Sequence, residues 1–249
     1  MSALVRAELL KIRTTRSWWA YLIVIVLLTG IAVAGQIGSS DNAERSTLQF
    51  QIDLADTVGL AVLIAIILGI SVITTEFRHG TTTPTFLAAP RREQVIFAKT
   101  IAATIVAIGF ALLSLLVAVA VALPWLAIVD ATTHFGDSEI LKQLAQAILS
   151  VVLWALIGVA IGTLVQSQVA ALVGTLVWIF VVETLVVVLF EWLPLSGAVS
   201  YLPFRALDAA DGTGGEDLLS YGAGVAVSLG WIALIGAAGT ERTRRRDIT

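Results

Sequence analysis

Cysteine is missing from this 249-residue chain. That excludes disulfides, thiolate metal sites and cysteine nucleophiles. Charge is scarce as well. Asp, Glu, Lys and Arg make up 13% of the residues, about half the soluble norm of roughly 25%. Proline is present five times, methionine once and histidine twice. The three lysines follow Leu10, Ala98 and Leu141, so no Gly-Lys pair exists and the phosphate loop G-x-x-x-x-G-K-S/T is excluded. No G-x-S-x-G nucleophile elbow occurs. What is abundant is apolar: 58% of the chain, which a soluble fold of this size has no interior to hide. Soluble enzymes, disordered chains and nucleic-acid binders are excluded together. The chain reads as an all-α polytopic membrane protein.

A span needs about 20 apolar residues, because a helix rises about 1.5 Å per residue through roughly 30 Å of hydrocarbon. Charge-free runs place six of them. The first is expected over 18–37 and the second over 57–75. The third is expected over 96–123, with Pro124 offering a stop. The run from Gln143 to Val182 is twice too long for one crossing and divides at the polar knot Gln166-Ser167-Gln168. It yields spans at 144–165 and 169–190, and the sixth lies at 218–240. Residues 1–16 form a basic start, 241–249 a basic tail, and the whole a single membrane domain.

Lysine and arginine set the orientation. Twelve of the 15 cations fall in the start (Arg6, Lys11, Arg13, Arg16), the loop between spans two and three (Arg78, Arg91, Arg92, Lys99) and the tail (Arg242, Arg244, Arg245, Arg246). Both termini and that loop are therefore expected in the cytoplasm. Ala32-Val33-Ala34 resembles a signal-peptide cleavage site. The long basic start and the Trp18-Trp19 pair favour retention as a span. His79 and His134 fall on opposite sides, so they share no metal, and a surface cap or hydrogen bond is the expected role of Glu76 with His79 and of Asp130, His134 and Asp137.

The loop TEFRHGTTTPTFLAAPRREQVIFAKT, Thr75 to Thr100, carries the most information. Glu76 to His79 extends span two and Gly80 caps it. Thr83-Pro84 is a helix start, and Pro90 ends the short helix that follows. Phe86 and Leu87 supply contact surface, while Arg91, Arg92 and Lys99 flank the return. Two readings stand at this point: a basic anchor loop, or a knob for a cytoplasmic partner.

The start LVRAELLKIRTTRSWW and the stretch TTEFRHGTTTPTFLAAPRREQVIFAK resemble bacterial ATP-binding cassette (ABC) exporters whose permease, of the second type, is encoded apart from its ATPase. The matching residues are Glu76, Arg78, Gly80 and Thr81, then Pro90, Arg91, Arg92 and Lys99. The resemblance implies that Thr82 to Ala89 is a coupling helix touching the ATPase, with Glu76, Arg78, Gly80, Thr83, Pro84, Phe86, Leu87, Pro90 and Arg91 as ATPase-coupling residues. It implies two permeases with two ATPases in a bacterial cytoplasmic (inner) membrane. It implies no cofactor in this chain and no enzyme activity, with ATP and Mg held by the partner ATPase. It also implies an amphipathic helix before span one. There Val5, Leu9 and Ile12 share one face, Leu10 points away and Glu8 lies near the apolar arc.

Trp192 to Phe204 is apolar but holds Pro194, Gly197 and Pro203 and is too short to span. It reads as a re-entrant or interfacial segment between spans five and six. Gly158-x-x-x-Gly162 permits close helix approach, expected within the chain rather than at a dimer face. Glu183 is the one acid well inside a span. It lines a translocation path or serves as a polar staple to the segment near Trp192 and Ser196. Three functions compete: the permease subunit of an ATP-driven exporter, a proton-linked secondary carrier using Glu183, and a membrane scaffold or assembly factor. The two-three loop favours the first. Its expected partners are the ATPase, a second permease copy and the lipid bilayer, with no nucleic acid.

Overall fold

The computed structural model describes residues 1–78, 92–193, 196–212, 214, 215 and 218–245. Among them every regular element is helical, and six helices are long and apolar enough to cross a membrane. Spans one to six are Arg16–Ser39, Leu48–Glu76, Glu93–Ile128, Ser138–Val165, Gln168–Phe190 and Tyr221–Thr243. A start helix, Ser2–Thr14, precedes them. Thr15 breaks it in an extended conformation, its hydroxyl donating to the Ile12 carbonyl at 2.8 Å. Because the spans alternate in direction, the start helix, the end of span two, the beginning of span three and the end of span six share one end of the bundle, here the terminal end. The other is the far end.

Spans two and four form the centre. About two thirds of each apolar window is buried, against a tenth to a fifth for spans one, five and six. Glycine makes that centre possible. A Cβ on Gly69 would overlap the Ala155 carbonyl oxygen, and one on Gly158 would sit 2.5 Å from the Ile66 carbonyl oxygen. Backbones this close gain dispersion contacts that larger side chains would forbid. Gly158 and Gly162 thus serve packing within the chain. Phe110 of span three, 1% exposed, fills the layer beside them and meets Trp18 and Tyr21 of span one.

Several helices extend past the charge-free runs. The first helix of span two, Leu48–Asp56, is capped by Thr47, whose hydroxyl accepts from Phe50 N at 3.3 Å. Span four begins at Ser138 because the Asp137 carboxylate accepts from Glu139 N at 2.9 Å. Charge-free runs mark hydrocarbon depth, whereas caps mark where a helix begins. Pro124 does not stop span three, which continues to Ile128. Leu126 beyond it is fully buried and Trp125 packs on the same cluster, offsetting the one hydrogen bond lost at proline. The helix ends instead at Asp130 (φ 52°), with Ala131 N donating to Leu126 O at 3.0 Å.

The knot between spans four and five is a tight reversal. Gln166 takes φ 58° and Ser167 caps the next helix. The tail of span six fastens the turn: Arg242 donates to Leu164 O at 2.7 Å, and the Gln166 amide to Thr243 Oγ1 at 3.0 Å. Span five contains one π-helical turn, Trp178–Val182, directly before Glu183. At the far end Gln51, fully buried, ties two loops. It donates to Thr132 O at 2.7 Å and accepts from His134 N at 2.7 Å.

Candidate functional site

Four charged side chains meet at the terminal end, where span two gives way to residues 79–91. Glu8 comes from the start helix, Glu76 from the last turn of span two and Lys99 from the first turns of span three. Lys99 Nζ lies 2.7 Å from Glu8 Oε2 and 2.9 Å from Glu76 Oε1, and it donates to the Val72 carbonyl at 3.1 Å. Lys11 Nζ reaches Glu8 Oε1 and Glu76 Oε1, both at 2.7 Å. Glu8, Glu76 and Lys99 are buried at 6%, 8% and 3% exposure, while half of the Lys11 side chain meets solvent. Two acids against two bases leave no net charge. Each buried carboxylate has a cation at hydrogen-bond distance, the condition under which buried charge is tolerated. Burial draws the Lys11 pKa down, but its hydrogen bonds to Glu76 and Glu8 and their negative charge outweigh this and hold it above the ordinary 10.5.

The clamp closes one wall of a cavity of about 250 Å³. Its other walls carry Thr15, Ser17, Tyr21, Ser71 and Gln168, so span one and the start of span five border it. Tyr21 and Gln168 both donate to Ser71 Oγ at 3.4 Å.

Of the coupling residues expected from sequence, Glu76 lies in this clamp. Arg78 closes the helix of span two. Gly80, Thr83, Pro84, Phe86, Leu87, Pro90 and Arg91 lie outside the described residues, as does His79. Glu8 and Lys11 were not anticipated as site residues. The signal was present: an acid beside the apolar arc of an otherwise amphipathic helix needs a buried partner, and the chain holds only two lysines near that end.

Glu183 sits at the other end of the bundle, 6% exposed. Its Oε1 accepts from Arg205 N at 2.9 Å, the third residue of the short helix Pro203–Ala209. Leu202, which precedes that helix, has no side chain able to cap it, so Glu183 performs the cap from span five. Its backbone partner is Arg205 rather than the neighbourhood of Trp192, which is exposed. Oε2 is buried without a partner among the described residues. Trp154 packs on Phe204 of the capped helix, ring centroids 5.4 Å apart, and Gly224 lets span six approach Ala206 and Ala209. Glu183 thus joins span five to a segment buried between spans four and six. Among the described residues no group of three His, Cys, Asp or Glu side chains is placed to hold a metal.

A family model described as ABC-2 family transporter protein matches residues 4–191, three quarters of the chain, including the start helix, the clamp and Glu183. No curated protein matches it significantly. A six-span helical bundle with this match is a transmembrane permease: the chain belongs to the ABC-2 transporter family.

Proposed function

We propose that the chain is the membrane-spanning subunit of an ATP-driven exporter, coupled through residues 79–91 to a separate cassette ATPase that holds ATP and Mg. The observation that carries this reading is the buried clamp. Residues 79–91 leave span two just after Glu76 and return into span three just before Lys99. Both roots of the loop are fastened to each other and to the start helix through Glu8. A push on the loop therefore moves spans two and three with the start helix as one body, instead of bending either root. Span two is packed backbone to backbone on span four, so the displacement reaches the centre of the bundle. Phe86 and Leu87, with the Thr83-Pro84 helix start, are the surface offered to the ATPase.

Spans one, five and six present large apolar side chains outward, such as Phe180 at 72% and Leu185 at 64% exposure. Lipid and a second permease copy share that surface, and the translocation path runs between the copies. The twelve cations in the start, the two-three loop and the tail of the sequence support cytoplasmic termini in a bacterial inner membrane. The Glu183 cap supports the staple reading over a proton-linked carrier, because the carboxylate is engaged in holding a helix end.

Affinity purification of the full chain from its native membrane in mild detergent tests the proposal. A cassette ATPase in stoichiometric amount is the expected result. Its reproducible absence, with the permease intact, would contradict it.

A further inference from the structure

A second polar cavity, of about 470 Å³, opens at the far end between the end of span one, the start of span two and the start of span four. Asp53, Asp56, Gln36 and Gln146 face it, and Gly212 closes one side. Two of its amide donors are already committed: Gln49 donates to Asp53 Oδ1 at 2.9 Å, and Gln143 to Asp56 Oδ1 at 2.9 Å and Asp211 O at 3.2 Å. What remains is rich in acceptors. Gln36 Oε1 is buried with no partner among the described residues. Gln146 is 7% exposed, lines the cavity, and its amide makes no hydrogen bond among the described residues. It lies against Gly212, where any Cβ would collide with it. Glu139 and Lys142 stand exposed at the rim with opposite charges.

We propose that this cavity is a binding site for an organic ammonium ion. An ammonium group carries only donors and one positive charge, which complements the free Gln36 oxygen, the unpartnered Gln146 amide and the paired aspartates. A bare metal ion is disfavoured, since among the described residues no group of three His, Cys, Asp or Glu side chains is placed to hold one. Two sources supply this chemistry: a free amine, or the headgroup of an ethanolamine phospholipid.

The test uses the full chain in phosphatidylglycerol nanodiscs, titrated calorimetrically with ethanolamine and, as neutral comparator, ethylene glycol at matched ionic strength. Saturable binding of ethanolamine alone is expected. Asp56→Asn and Gln146→Leu should each weaken it about tenfold or more, the loss typical of one hydrogen bond to a charged group. Asp53→Asn, at an exposed side chain, should weaken it without threatening the fold. Absence of saturable binding to the folded wild type, equal binding of ethylene glycol, or unchanged affinity in folded variants would overturn the proposal. Nanodiscs containing phosphatidylethanolamine then separate the sources. Weakened binding of free ethanolamine supports a lipid headgroup as occupant, and unchanged binding supports a soluble amine.

Discussion

Replacing Lys99 by Met keeps the length of the side chain and removes its charge. The ammonium is 3% exposed and holds Glu8 at 2.7 Å, Glu76 at 2.9 Å and the Val72 carbonyl at 3.1 Å. Without it two buried carboxylates face each other with only Lys11 between them. Breaking a buried pair by removing one partner costs about 3–5 kcal/mol, because a charge is left buried and uncompensated. Lys11→Met is a milder change to the same network. Half of that side chain is in solvent, and Lys99 continues to pair both acids, so a loss of about 1 kcal/mol or less is expected. Glu8→Gln combined with Lys99→Met removes one charge of each sign. The double variant should recover much of the loss, giving a strongly non-additive cycle. Reversible unfolding of the purified protein in mild detergent measures wild type, Lys99→Met, Lys11→Met, Glu8→Gln and the double variant. Equal losses for Lys99→Met and Lys11→Met, or strict additivity in the double variant, would refute the clamp as an energetic unit.

Three further expectations follow from the same geometry. Glu183→Gln keeps an acceptor for Arg205 N and should leave folding and transport intact, whereas Glu183→Leu removes the cap and should destabilise by about 1–3 kcal/mol; loss of transport in a well-folded Gln variant would assign Glu183 an ionic function instead. Gly69→Ala and Gly158→Ala push a methyl into opposing backbone and should each cost about 1–3 kcal/mol in thermal unfolding, while Gly35→Ala, with open space around it, should be neutral or stabilise by up to about 1 kcal/mol. The raised Lys11 pKa sets an alkaline window. Its contribution is complete below pH 10.5 and is lost as pH rises through the higher folded value, so the stability gap between wild type and Lys11→Met should hold constant from neutral pH and close only above 10.5; a gap that closes near neutrality would contradict the pairing.

The six spans were legible because bilayer thickness writes itself into the sequence as charge-free length. Gln166-Ser167-Gln168 was legible as a break for the same reason. The helical start of span two at Leu48 was not, since Asp53 and Asp56 interrupt the apolar run while leaving the helix unbroken. Pro124 misled because the burial of Leu126 is a tertiary fact, invisible to a local rule. Glu76 and Lys99 were singled out from the loop pattern, yet nothing in their spacing revealed that Glu8, some 68 residues before Glu76, completes the set. The π-helical turn before Glu183 leaves no apolar signature, because Trp178 to Val182 is apolar whichever helix it forms.

The central claim is that residues 79–91 transmit the work of a separate ATPase. It is tested most directly by ATP turnover of the purified complex in proteoliposomes, wild type against Phe86→Ala and Leu87→Ala. Truncating an anchored apolar contact costs about 2 kcal/mol or more, so turnover stimulation and ATPase retention should fall together while the permease stays inserted and folded. Unchanged association and unchanged stimulated turnover in both variants would contradict the claim.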